Sequence, residues 1–173
     1  MGRSRPWLGY GAAGKGRPHE SIAYLRQSLS RHRAMQSQLN FPYYLALLIE
    51  VLLEEGEIAE GLEAVEEALQ VVERTQQRSF LAEIYRLKGE LLRARDKDSA
   101  DAERLFERAI EIAESQSALA LQLRAGISLC RATIGTKRRE EARATLLRIY
   151  GQFDEGFGTL DLVEAKALLE ERR

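Results

Sequence analysis

A pattern of small, bulky and small residues recurs four times in this chain. Its clearest copy is Gly61, Val65 and Ala68, spaced by four and then three residues, so the three share one face of a helix. The spacing returns as Ser21, Leu25 and Ser28, as Ala102, Phe106 and Ala109, and as Ala142, Leu146 and Ile149; the first members lie 40, 41 and 40 residues apart. A turn glycine stands five residues ahead of the first two copies (Gly16, Gly56) and seven ahead of the last (Gly135). Self-similarity at such a period means helical hairpins stacked side by side. The fold class expected is therefore all-α, an α-solenoid of antiparallel hairpins.

Composition agrees with a single helix-rich domain. Hydrophobic residues make up 45% of the 173 and charged residues 31%, with only three prolines. No apolar run approaches the ~20 residues needed to span a bilayer, and Met1–Trp7 lacks an apolar signal core. One cysteine, Cys130, excludes an intramolecular disulfide. A cytoplasmic protein without membrane contact is expected.

The net charge of −1 hides an uneven distribution. Residues 1–40 hold seven Lys/Arg against one acid, residues 41–75 one against nine, and residues 118–150 seven against two. Such alternation reads as solvated helix faces attracting their neighbours in the stack, and it could also steer a charged partner.

Taken in order, residues 1–40 read as a truncated first hairpin, 41–78 as a second, 79–117 as a third and 118–151 as a fourth, with 152–173 a link and capping helix. A short helix is expected from Trp7 to about Ala13. Gly9 to Gly16 fits G-x-G-x-x-G and most of a phosphate-loop pattern. No strand pattern precedes it, however, and Gly16 stands where a Ser/Thr would hold magnesium, so nucleotide binding there is only an alternative. The next helix starts at Pro18, with Ile22, Leu25, Leu29 and Tyr24 as its apolar face. His19 and His32, thirteen residues apart, are too distant to share a metal and are expected to face solvent.

Phe41 to Glu55 is apolar on more than one side, as befits a helix inside a stack. The helix from Glu57 to Thr75 exposes Glu60, Glu63, Glu66 and Glu67 as a solvated face. Phe80 to Arg95 follows, then a turn in which Asp98 or Ser99 caps a helix to Ser115. Leu119–Thr133 carries Cys130, a small core residue with no later histidine to activate it. Lys137, Arg138 and Arg139 open the fourth repeat helix, where three cations oppose the dipole and so suggest another use. Without an aromatic stacking platform they are weak evidence for nucleic acid. Asp161, with Glu164 three residues on, is expected to cap a last helix that covers the open end of the stack.

The small residues at the first and third repeat positions, with a bulky one between, resemble the tetratricopeptide repeat. Its usual period is ~34 residues against 40–41 here, and this chain has Ser at both small sites of the first copy and Ile149 at the end of the last. Tyr43–Leu48, Ala82–Leu92 and Tyr150–Leu169 are similar to the C-terminal tetratricopeptide-like region of large bacterial signalling proteins. Those proteins join this region to a nucleotide-hydrolysing switch domain, often with a class III adenylate/guanylate cyclase or a LuxR-type DNA-binding domain at the other end. Gln152 and Gly158 depart from that pattern, which bears on how the last helix docks. The resemblance implies a right-handed superhelical stack and no inherited cyclase or ATPase activity. It also implies a chain that starts inside the repeat region, as a fragment, a truncated gene or a free-standing remnant.

The function expected is a non-catalytic interaction or regulatory scaffold without cofactor or metal. Its protein or peptide partner, or the switch ATPase domain of a parent, would lie on a concave face lined by the first helix of each hairpin. The non-core positions of those helices are Tyr43, Glu50, Glu83, Arg86, Glu90, Arg93, Arg124, Ser128 and Arg131. As solvated groove residues they should tolerate change, so reversing Arg86 and Arg93 to Glu should weaken binding without unfolding the stack. Self-association through the N-terminal face is an alternative, and nucleic acid ranks last given the charge.

Overall fold

The computed structural model describes residues 18–35, 40–97 and 99–171. Among them are eight α-helices and no strand: α1 (Pro18–Ala34), α2 (Phe41–Glu55), α3 (Ile58–Thr75), α4 (Leu81–Arg95), α5 (Ala100–Ser115), α6 (Leu119–Ala132), α7 (Arg139–Tyr150) and α8 (Leu160–Glu170). The helix expected from Trp7 to Ala13 and the Gly9–Gly16 stretch lie outside the described residues.

Each helix packs on the next in the chain, and α2, α4, α6 and α8 also pack on one another in that order. Among the described residues the odd-numbered helices make no such backbone-level contact with each other. Two layers result, one with its helices close together and one with them splayed, so the even-numbered layer lies on the inside of the curve. The fold is a stack of helical hairpins.

The repeated trios are what hold the layers together. Val65, Ala68, Ala102, Phe106, Ala109, Leu146 and Ile149 are fully buried, and Leu25 and Ala142 nearly so. Small residues allow close approach. A Cβ added at Gly61 would stand 2.7 Å from Leu91 of α4, and one at Gly89 would stand 2.5 Å from the ring of Phe106. Gly56 ends α2 in the left-handed region, φ 80°, where its N–H reaches the carbonyls of Leu52 and Leu53. Ser99 caps α5, its side chain accepting a hydrogen bond from the Ala102 N–H at 3.3 Å.

The uneven charge distribution becomes interhelical pairing on the outside. Arg26 and Arg33 of α1 each meet a glutamate of α3, Glu60 and Glu67, at 2.6 Å. Arg148 of α7 reaches Glu114 of α5 at 3.3 Å. Arg138, just ahead of α7, pairs with Glu103 and Glu107 of α5, so part of the basic cluster has a structural use. Long side chains thus bridge outer helices whose backbones stand apart.

Three local expectations are corrected. Tyr24 is 52% exposed and is not part of the apolar face of α1. His32 does not simply face solvent: it is half-buried, its ring 4.9 Å from that of Tyr44 and 6.1 Å from that of Phe41. Asp161 does not cap α8. The N-cap is Thr159, without a side-chain bond, and Asp161 lies inside the helix. The last helix does dock, with Leu162 and Ala165 buried against the core. Arg143 of α7 donates to the Leu169 carbonyl, so a side chain from the neighbouring helix serves the C-terminal end of α8. The outer side of this helix nevertheless shows Leu160 and Val163 to solvent, because its Asp161 and Glu164 turn inward.

Candidate functional site: a charged cleft on the inner layer

Spacings of three and four residues put Glu83, Arg86, Glu90 and Arg93 on one stripe of α4, and Arg124, Ser128 and Arg131 on one stripe of α6. Both stripes face inward. Arg86 donates from Nε and Nη2 to the two carboxylate oxygens of Glu83, at 2.9 and 2.6 Å. Arg124 donates from Nη2 to Glu83 Oε1 and to Glu50 Oε1 of α2, each at 2.9 Å. Arg86 also lies 3.9 Å from Glu50 and from Glu90, and 3.5 Å from the Ser128 hydroxyl.

These groups are not solvated surface. The side chain of Glu83 is fully buried, and those of Glu50, Arg86 and Arg124 are no more than 8% exposed. Ser128 is buried too. This corrects the expectation of a tolerant groove lined by free charges. The inner helices crowd together, and their charges pair with each other because desolvation would otherwise penalise them heavily. Burial alone would raise the Glu83 carboxyl; Arg86 and Arg124 more than offset this and hold it down at about 2. Burial likewise opposes the Arg86 cation, yet Glu83 keeps its pKa above the ordinary value.

The remaining expected residues sit at the edges of this cluster. Glu90 accepts from Arg93 at 3.4 Å near the far part of α4. Arg131 pairs with Glu164 of α8. Tyr43 stands apart, at the start of α2, its ring 5.0 Å from that of Phe80. Seven of the nine are therefore joined by direct contacts, and Arg131 lines the same cleft beside them.

Above the paired charges lies a shallow cleft, open to solvent, bordered by α2, α4, α6 and α8. Glu50, Arg86, Arg124 and Ser128 form its floor; Arg131, with Leu53, Glu54, Leu87, Ile127, Asp161 and Glu164, completes the lining. Leu53, Glu54, Leu87, Ile127, Asp161 and Glu164 were not read from the sequence as groove residues. A signal for some existed: Glu54 follows Glu50 by four residues, and Ile127 lies between Arg124 and Arg131 on the same stripe. Asp161 and Glu164 imitated a capping box.

On the rim Glu54, Asp161 and Glu164 stand beside one arginine, Arg131. Burial, with Glu50 and Glu55 close by, pushes Glu54 up to about 7. Burial also raises Asp161, against the pull of Arg124 and Arg86, and raises Glu164, against that of Arg131. Nothing here forms a nucleophile–base pair. Cys130 is buried and pushed up to about 11 by desolvation, which makes it inert. Among the described residues no group of three or more His, Cys, Asp or Glu could hold a metal ion. No helix is long and apolar enough to cross a membrane among them.

An arrangement of paired charges under an open cleft can recognise a side chain or a helix end by shape and charge. Comparison with known proteins bears on that reading. An uncharacterized protein of Rhizobium meliloti (strain 1021) is 37% identical over 108 residues, which cover 62% of this chain and 10% of that protein. The chain thus spans about a tenth of the length of the curated relative it matches. From near the start of α2 to the end of α5, over residues 43–115, the chain matches the model of the tetratricopeptide repeat family.

Proposed function

We propose that the protein is a non-catalytic scaffold that docks a protein partner in the inner-layer cleft. The observation that carries this is the cleft itself, where four helices bring Leu53, Glu54, Asp161 and Glu164 around an open mouth. Stacked hairpins build extended concave surfaces of this kind, and tetratricopeptide repeats serve as interaction modules. Because the rim carboxylates outnumber its cations, the partner element that fits is one presenting Lys or Arg.

The partner favoured is the switch ATPase domain of a longer signalling protein. What supports this is the likeness of Ala82–Leu92 and Tyr150–Leu169 to the C-terminal region of such proteins. A similar segment also forms a tenth of a much longer chain in Rhizobium.

The test uses the whole chain as bait in lysate of its own source, beside a Glu54→Gln/Glu164→Gln variant that alters the rim and leaves the buried floor intact. A discrete partner retained by the parent chain and lost by the variant is expected. Equal capture by both would place the interaction elsewhere.

A further inference from the structure

Helices α2 and α6 each pack on α4, and among the described residues they make no backbone-level contact with each other. Yet Arg124 of α6 donates to Glu50 of α2 at 2.9 Å, passing over α4. Interaxial distances of 8–10 Å would set α2 and α6 about 16–20 Å apart in a flat layer. A direct bond between their side chains takes most of the combined reach of an arginine and a glutamate, and a layer curled around α4 shortens that span. Arg124 also holds Glu83 of α4 at 2.9 Å, and a separate pair, Arg131 with Glu164, ties α6 to α8.

We infer that the Glu50–Arg124 pair is a clasp that sets the curvature of the stack. Apolar packing between neighbouring helices fixes each hairpin against the next but leaves the bend between α2 and α6 to soft changes of side-chain contact. The clasp is a direct tie between these two helices, and its burial gives it a stiffness that an exposed pair lacks. Glu83 remains neutralised by the two-pronged grip of Arg86 whether or not Arg124 is present. The clasp can therefore open without leaving that carboxylate alone. It forms the floor of the cleft in which the partner is placed, so occupancy and curvature would be coupled; the inference about curvature stands without that reading.

The test measures the distance between spin labels at the exposed positions Ala59 and Val163, each changed to Cys in a full-length Cys130→Ala background. Replacing the pair by apolar residues of similar size, Glu50→Leu with Arg124→Met, keeps the core filled. The expected result is unchanged helical circular dichroism with a longer and broader distance distribution. Glu50→Gln, which keeps volume and weakens the bond, should lengthen the distance less, and it decides the matter alone if the double variant fails to fold. An unchanged distance in the folded variants overturns the inference.

Discussion

Arg124 on α6 bonds Glu50 on α2 at 2.9 Å, although α4 lies between the two helices. A residue pair 74 positions apart in sequence thus closes the inner layer over a buried floor of charge. Several outcomes are decided by this burial.

Reversing Arg86 to Glu should unfold the protein or come close to it. Removing one partner of a buried pair costs about 3–5 kcal/mol, and placing a second carboxylate against Glu83 costs more, against a total stability of about 5–15 kcal/mol. Arg93→Glu, at the edge of the cluster, with its side chain 26% exposed and its bond to Glu90 at 3.4 Å, should cost clearly less. Urea denaturation of the two single variants separates them. Similar midpoints would show that the floor is less buried than described.

Gly89→Ala should destabilise despite the better helix propensity of alanine. The added methyl would stand 2.5 Å from the fully buried ring of Phe106. Overpacking of about 1–3 kcal/mol outweighs a gain of about 1 kcal/mol in the helix. Phe106→Leu in the same chain should recover part of the loss. Additive costs in a double-mutant cycle would contradict the close approach.

Stability should rise as pH falls from 8 towards 5, then decline in stronger acid. Glu54 titrates at about 7 in the fold against an ordinary 4.5, so the folded state takes up its proton first and gains over that interval. Asp161 and Glu164 are raised as well and act in the same direction. Glu83 has the opposite sign. Held at about 2, it contributes stability that is present above 4.5 and lost as pH drops towards 2. Thermal melts across this range check both limbs, and Glu54→Gln should reduce the first and leave the second unchanged.

The outer pairs should matter little and respond to salt. Arg26–Glu60 and Arg33–Glu67 are exposed, so each contributes about 0.2–1 kcal/mol at low ionic strength. Arg26→Ala should lower the melting temperature slightly in dilute buffer. In 1 M salt, where the Debye length is about 3 Å, the difference should nearly vanish.

Much of the fold could be read in the sequence because it rests on local pattern. The trios at Gly61, Ala102 and Ala142 marked helix faces that are buried, and Gly56, Ser99 and the Gln116–Ser117 break marked ends that are ends. The site was legible only in part. Spacing gathered Glu83, Arg86, Arg124 and Ser128 onto the right stripes, since periodicity of 3.6 is a one-helix property. It could not show that α2, α4 and α6 curl enough to bury those charges against each other. Asp161 and Glu164 were misread for a related reason: a carboxylate near a helix start caps its own helix or serves a neighbour, and only Arg131 and Arg124 across the cleft distinguish the two. Tyr43 shares the pattern of the groove positions but packs on Phe80, a contact between hairpins that spacing does not reveal.

The most direct test of the scaffold reading places a photo-crosslinking amino acid at Leu53 in the cleft, or at Ala144 on the exposed side of α7, and activates each in lysate of the protein's own source. A cleft that docks a partner predicts one discrete protein joined at Leu53, absent at Ala144, and diminished by Glu54→Gln/Glu164→Gln. Capture at Ala144 but not at Leu53, or the same adduct in the presence and absence of the rim carboxylates, would contradict it.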